Sequence, residues 1–169
     1  KGIVEVDETY IGGSLRNMKP AMKAKRNPYK SGMIHKVPVL GMLERKGKIL
    51  LKQLAHANKA NIKPIIEANI NKSSEIVTDG FGGYYGIGEY FAKHVKFNHE
   101  KHHYTDGEYN LSSIEGFFST IKRAVIGQYH QLSEGHLQSY MNEIAFKSNY
   151  SQNEGFEILI NRMLGGCAI

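Results

Sequence analysis

Asp7, Asp79 and Glu115 are the side chains whose types and settings in this sequence would do chemistry together. Each offers hard oxygen donors, and three that converge would hold divalent cations such as Mg²⁺ or Mn²⁺. A pair of such ions about 4 Å apart activates an attacking hydroxyl and stabilises the leaving oxygen of a phosphodiester. Each acid also has a plainer reading. Asp7 lies in VEVDETYIGG, where strand alternation sends Glu5, Asp7 and Thr9 to one face and Val4, Val6 and Glu8 to the other. An acid among β-formers ordinarily faces solvent. Asp79-Gly80 is a common turn pair, and Glu115 with Lys122, at i,i+7 on one helix face, would be two solvated charges. Only the elements that carry the three acids decide between these readings.

Val4 to Gly13 reads as the first strand, Lys36 to Leu43 and Ile49 to Ala55 as two more, with RKGK as the hairpin turn between them. Asn58 to Ile70 reads as a helix with Pro64 in or near its first turns. Glu75 to Thr78 is a short buried strand that stops at Asp79. FGGYYGIGEYFAK suggests a short, Gly-interrupted helix, and His94 to Asn98 another strand. Helices are expected over Ser112–Val125, Ser133–Tyr150 and Asn153–Leu164, with Ile114, Phe117, Phe118 and Ile121 on the core side of the first. Three strands followed by alternating elements give an α/β fold, a mixed five-stranded sheet flanked by helices. This is the element order of the ribonuclease H-like fold. In that sheet the first and fourth strands are neighbours, and the helix carrying Glu115 packs across them. The carboxylates of Asp7, Asp79 and Glu115 would then surround one pocket.

The chain has 169 residues and a net charge of +6, with 41% hydrophobic and 22% charged residues. That suits one domain, residues 1–169, with a real core and an anionic partner. No apolar run approaches a membrane span. The lone Cys167, in a Gly-rich tail, excludes an internal disulfide and fits a reducing compartment. Lys1 stands where Met would open a complete chain, so upstream domains are expected to be missing. Between Tyr10 and Leu43 there is no Asp or Glu, yet the interval holds Arg16, Lys19, Lys23, Lys25, Arg26, Lys30 and Lys36. Residues 12–36 therefore read as a basic loop or arm suited to backbone phosphates, and residues 133–164 as a helical C-terminal part.

The wording around each acid resembles the DDE transposases of bacterial insertion sequences, in particular the ISXO-like group. VEVDETYIGG is similar to that group's first motif, TDGFGGY to its second, and SSIEGFFSTIKRAVIGQYHQLSEGHLQSYMNEIAFKSNY to its long third block. The resemblance runs from about Val4 to Tyr150. It implies a ribonuclease H-like catalytic domain with Asp7, Asp79 and Glu115 as the metal-binding triad for Mg²⁺ or Mn²⁺. The implied partners are the transposon ends and target DNA, in a homodimer or higher oligomer, within a bacterial cytoplasm. Lys122, with Arg123 beside it, matches the basic residue that contacts DNA near the active site. Ser112 or Ser113 stands where relatives often have Asn, and Phe118 where Trp is common. The group's N-terminal metal-ribbon and helix-turn-helix region has no counterpart in this sequence.

Other signals are weaker. Eight histidines raise zinc, but His94, His99, His102 and His103 fit no standard spacing and read as surface-loop residues. His130 is a candidate DNA contact, and His136 is expected to face a helix neighbour. Glu5, Glu8 and Glu108 are expected to be solvated or to support the site from behind. Tyr10 and Tyr84 lie next to the acidic motifs. Two further functions share these residues: a ribonuclease H-like nuclease or resolvase, and a non-catalytic DNA-binding protein derived from a transposase.

Overall fold

Segments in which Val, Ile, Leu or Phe recur build five strands, most of them buried on both faces and the last, an edge strand, largely open. They are β1 (Ile3–Ile11), β2 (Val37–Glu44), β3 (Ile49–Gln53), β4 (Glu75–Asp79) and β5 (Lys93–Phe97). In this computed structural model, residues 2–12, 36–97, 109–129 and 132–164 are described. The strand order is β3-β2-β1-β4-β5, antiparallel across β3, β2 and β1 and parallel across β1, β4 and β5. Four helices flank the sheet: α1 (Lys59–Asn69), α2 (Ser112–Ala124), α3 (Leu137–Asn149) and α4 (Gln152–Leu164). This is the mixed, ribonuclease H-like arrangement that the element order implies.

Alternation along the strands divides the core in two. Val4, Val6, Leu40, Met42 and Ile76 pack against Ile62 and Ile66 of α1 and against Tyr84 and Ile87. Ile11, Val39, Leu51 and Val77 pack against Ile114, Phe118 and Ile121 of α2 and Met141 of α3. Removing these side chains from water is the main favourable term, about 25 cal/mol per Å² of apolar surface. The free edge of β3 is closed by amides on α3. Asn149 bonds both the N–H (2.7 Å) and the carbonyl (2.8 Å) of Ile49, while Gln138 accepts from Gln53 N–H (2.7 Å) and donates to Leu51 carbonyl (3.0 Å). An edge whose outward groups are satisfied this way offers no template to another strand.

Several elements differ from expectation for local reasons. FGGYYGIGEYFAK holds only a single 3₁₀ turn, Gly82–Tyr84, because its glycines favour turns and Gly86 has φ +80°, outside the helical region. Ser133–Tyr150 is not one helix: a 3₁₀ turn at Glu134–His136 precedes α3. The helix past Ala124 widens into a π-helical turn, Val125–Tyr129. Pro64, by contrast, lies in the second turn of α1, as expected, and Asn58 caps the helix by accepting from Asn61 N–H at 3.0 Å. α4 begins with a capping box in which Ser151 and Glu154 exchange hydrogen bonds. His94 is on β5, half-buried, with its Nε2 2.9 Å from Thr78 Oγ1, rather than in a surface loop.

Helix and sheet approach each other closely at Gly41, the residue opposite Asp7 in the β1–β2 ladder. A Cβ there would lie 2.8 Å from the Phe118 ring and 3.0 Å from Ile114 Cδ1. The missing side chain lets α2 settle onto the sheet at the level of Asp7. Gly41→Ala is expected to destabilise the fold by about 1–3 kcal/mol through overpacking. Denaturant unfolding measures this, and an unchanged midpoint would contradict the close approach.

Candidate functional site

β1 and β4 run parallel in a register that pairs Ile3 with Glu75, Val4 with Ile76 and Glu5 with Val77. Continued by two residues, that register sets Asp7 level with Asp79, where β4 ends. Carboxyl ends of strands are where open α/β sheets present ligands. Oxygens of Asp7, Glu8 and Asp79 all lie within 4.8 Å of one another, and all three residues are half-buried. Asp79 Oδ1 accepts from Phe81 N–H at 2.9 Å, and Asp7 Oδ1 from Glu8 N–H at 2.8 Å. Each aspartate is thus oriented through one oxygen.

Neighbouring anions add to the effect of burial on Asp7 and Glu8. Burial, then the charges of Glu8 and Asp79, push the Asp7 carboxyl up to about 7; Glu115 adds a smaller push, and the Glu8 N–H bond opposes it. Glu8 is also raised, by burial first and Asp79 next, while a hydrogen bond from Tyr84 opposes the shift. Tyr84 itself is held well above its ordinary value by burial and by Glu8. On β5, burial and then Lys96 lower the His94 imidazole to about 4.

Glu115 sits in the exposed first turn of α2, on the helix that packs over Asp7. The structure brings it within electrostatic range of Asp7, but Glu8 completes the tightest trio. What holds the start of α2 is Glu5. This residue is fully buried rather than solvated: its Oε2 accepts from Ile114 N–H at 3.0 Å, and its Oε1 pairs with Arg45 Nε at 2.9 Å. Arg45 also donates to the carbonyl of Asn110 at 3.0 Å, and Asn110 Oδ1 accepts from Ser112 Oγ at 2.6 Å. A carboxylate from β1 therefore satisfies one of the free N–H groups at the positive end of the helix.

Lys122 lies at the other end of α2, exposed, and lines a groove with Glu8, Thr9, Tyr10, Ile11, Gly12, Lys36, Val125 and Ile126. One rim of the groove is acidic at Glu8, and Lys36 and Lys122 supply the cations. Arg123 is exposed with its guanidinium on Thr120 Oγ1 of its own helix (2.9 Å). His136 is exposed at the end of the 3₁₀ turn before α3. His130, His99, His102, His103, Glu108, Cys167 and the arm cations Lys23, Lys25 and Arg26 lie outside the described residues.

Glu5 and Glu8 have roles that their sequence positions did not assign. Strand alternation correctly separates them onto opposite faces, but it does not say that Glu5 meets a helix terminus or that Glu8 meets Tyr84. The signal available for Glu8 was its adjacency to Asp7 in the first strand, level with the end of β4, where side chains from both faces reach the same acid.

The donor set fits a hard divalent cation: carboxylate oxygens only, clustered, and carrying more negative charge than their setting stabilises. Imidazole and thiolate donors are absent from that trio, which is the opposite of a zinc site.

Compared with known families, the chain matches the profile described as the ISXO2-like transposase domain over residues 1–149. No curated protein and no solved structure matches it.

Without divalent cations, the folded chain retains the Asp7 proton up to about pH 7, whereas an ordinary carboxyl loses it near 3.8. Between those values the folded state binds more protons than the unfolded one, so this group makes stability fall as pH rises. His94 acts oppositely from about 4 to 6.5, because its folded form stays neutral. Comparison with Asp7→Asn isolates the Asp7 contribution. In chelator, the variant's melting temperature should gain on the wild type from pH 4 to 7 and then level off. A pH-independent difference would contradict the perturbed carboxyl.

Proposed function

The chain belongs to the family of ISXO2-like transposase domains, and on that premise we propose that it is a Mg²⁺- or Mn²⁺-dependent DDE transposase domain acting on transposon ends and target DNA. The observation that carries the reading is the meeting of Asp7, midway along β1, with Asp79, distant in sequence, at the carboxyl end of β4. Asp7, Asp79 and Glu115 are the proposed metal-binding triad. Two bound ions would activate the attacking oxygen and offset charge on the leaving oxygen of a phosphodiester.

The chain's own residues supply position and electrostatics. Phe81 N–H holds one oxygen of Asp79 and Glu8 N–H one oxygen of Asp7, leaving the second oxygen of each for the cations. Glu115 completes the set from the start of α2, whose position Glu5 and Gly41 support. The groove beside Glu8 accommodates a nucleic-acid backbone, with Lys36 and Lys122 for phosphates and Tyr10, Ile11 and Ile126 as apolar surface. Arg123 extends the cationic end of α2. The basic arm, with Lys23, Lys25 and Arg26, and His130 are further proposed DNA contacts. Action in the bacterial cytoplasm, as a homodimer or higher oligomer, is part of the same proposal. No helix among the described residues is long and apolar enough to cross a membrane.

The test uses the full-length chain and DNA carrying the terminal sequences of the element. Mg²⁺-dependent nicking and joining of a pre-cut 3′ end to a second duplex are expected. Nicking without joining would reassign the chain as a nuclease, and binding without nicking as a DNA-binding protein. Asp7→Asn and Asp79→Asn should each lower the cleavage rate by on the order of 100-fold or more, since several kcal/mol of charge stabilisation are lost. DNA affinity should hold or rise, because a charge repelling phosphate is removed. Full activity in either variant would overturn the assignment.

The arm is tested by its salt dependence. Replacing Lys23, Lys25 and Arg26 with Ala should weaken binding alike across sequences. The slope of log affinity against log salt should flatten by roughly 0.9 for each phosphate that the arm no longer neutralises. An unchanged slope would exclude the arm from the interface.

A further inference from the structure

The turn that follows Asp79 holds two acids at once. Its Phe81 N–H fixes Asp79 Oδ1 at 2.9 Å, and three residues later Tyr84 donates its hydroxyl to Glu8 Oε2 at 2.5 Å. Tyr84 is fully buried in the core between the sheet and α1. Its N–H bonds Phe81 carbonyl at 3.1 Å, and its ring meets the Phe81 ring edge-on at 5.9 Å. Few side chains are held so firmly, and this one ends in a hydroxyl aimed at the acidic cluster.

Glu8 reaches that hydroxyl because it leaves β1 on the face opposite to Asp7, together with Val4 and Val6. Asp7 and Glu8 therefore approach Asp79 from the two sides of the sheet end, and all three carboxylates come within 4.8 Å. A phenol satisfies one acceptor position of a carboxylate that has about four. Acceptor positions remain for a cation, and the approach of three carboxylates is repulsive until one enters.

We propose that Glu8 is a fourth carboxylate of the cation site, alongside Asp7, Asp79 and Glu115, and that Tyr84 is the positioning residue that aims it. The inference rests on the metal-site reading above. With Glu8, four carboxylates offset the four positive charges of two divalent ions. The same turn, residues 79–84, then sets two ligands on opposite faces of the sheet, so the geometry of the site is tied to the core rather than to a loop alone. Partners that orient metal ligands in this way change metal affinity by about 10- to 100-fold when removed.

The experiment is Mn²⁺ titration of the full chain without DNA, by calorimetry, for the wild type and for Glu8→Gln, Tyr84→Phe and Asp79→Asn. Both Glu8→Gln and Tyr84→Phe should weaken Mn²⁺ binding by about 10-fold or more. Tyr84→Phe removes one oxygen and keeps the buried ring, so its fold should persist. In cleavage assays its half-saturating Mg²⁺ concentration should rise by a similar factor while the rate at saturating Mg²⁺ recovers, a split that general loosening of the core would not produce. Wild-type Mn²⁺ affinity in Glu8→Gln, with binding lost in Asp79→Asn, would overturn the role of Glu8 and leave the metal site standing. Wild-type affinity in Tyr84→Phe alone would overturn the positioning role. Undiminished binding in Asp79→Asn would remove the metal reading itself.

Discussion

A buried carboxylate with no solvent access is costly unless charge and hydrogen bonds surround it, and Glu5 meets that condition from two directions. Arg45 comes from the β2–β3 turn and Ile114 N–H from the start of α2. The ion pair is better regarded as a register device than as a source of net stability, since burying both charges offsets much of their attraction. Its consequence is geometric. Glu5 and Asp7 leave the same face of β1, so a helix start anchored on the first is carried to the neighbourhood of the second. The placement of Glu115 depends on that anchor, and the depth of α2 depends on the bare Cα of Gly41.

Around this scaffold the acids break the rules that the rest of the domain keeps. Apart from Glu5, Thr9, Ser74 and Thr78, the buried side chains are apolar and divided between two layers, and the edge of β3 is bonded by Gln138 and Asn149. Where β4 ends beside the middle of β1, by contrast, Asp7, Glu8 and Asp79 crowd together with Asp7 pushed to about 7. Locally unfavourable electrostatics of this kind concentrate at functional sites, and here a divalent cation is the species that would relieve them.

The groove extends the same logic along β1. Beyond Asp7 and Glu8 the strand continues through Thr9, Tyr10 and Ile11, while α2 runs alongside and ends in the wider turn at Val125–Tyr129. Acidic at one end and cationic at Lys36 and Lys122, the groove suits a polyanion whose reactive phosphate lies against cations and whose neighbouring phosphates meet lysines. Ile126, exposed at this rim, adds apolar surface of the kind that contacts sugars or bases rather than phosphates.

Much of this was legible in the sequence. Alternation in IVEVDETYI, the dense aliphatic runs of β2 to β4 and the 3.6-residue period around Glu115 determine strands, helices and their order, because those patterns reflect burial of one or both faces. Asp7 was recognisable as an acid within the first strand and Asp79 as one at a strand end, and the three motif blocks were recognisable as a family resemblance. Glycine-rich stretches were less so: a Gly run signals a break without saying whether a helical turn survives it, and FGGYYGIGEYFAK keeps just one 3₁₀ turn. What only the tertiary structure decided is which acid serves which purpose. Glu5, Asp7 and Glu8 are near-identical in type and adjacent in sequence. One became a buried helix anchor, one a site acid on the α2 face and one a partner of Tyr84 on the other. That division arises from Arg45, Ile114 and Tyr84, residues brought to β1 from far along the chain, and no local pattern contains interactions made at such separation.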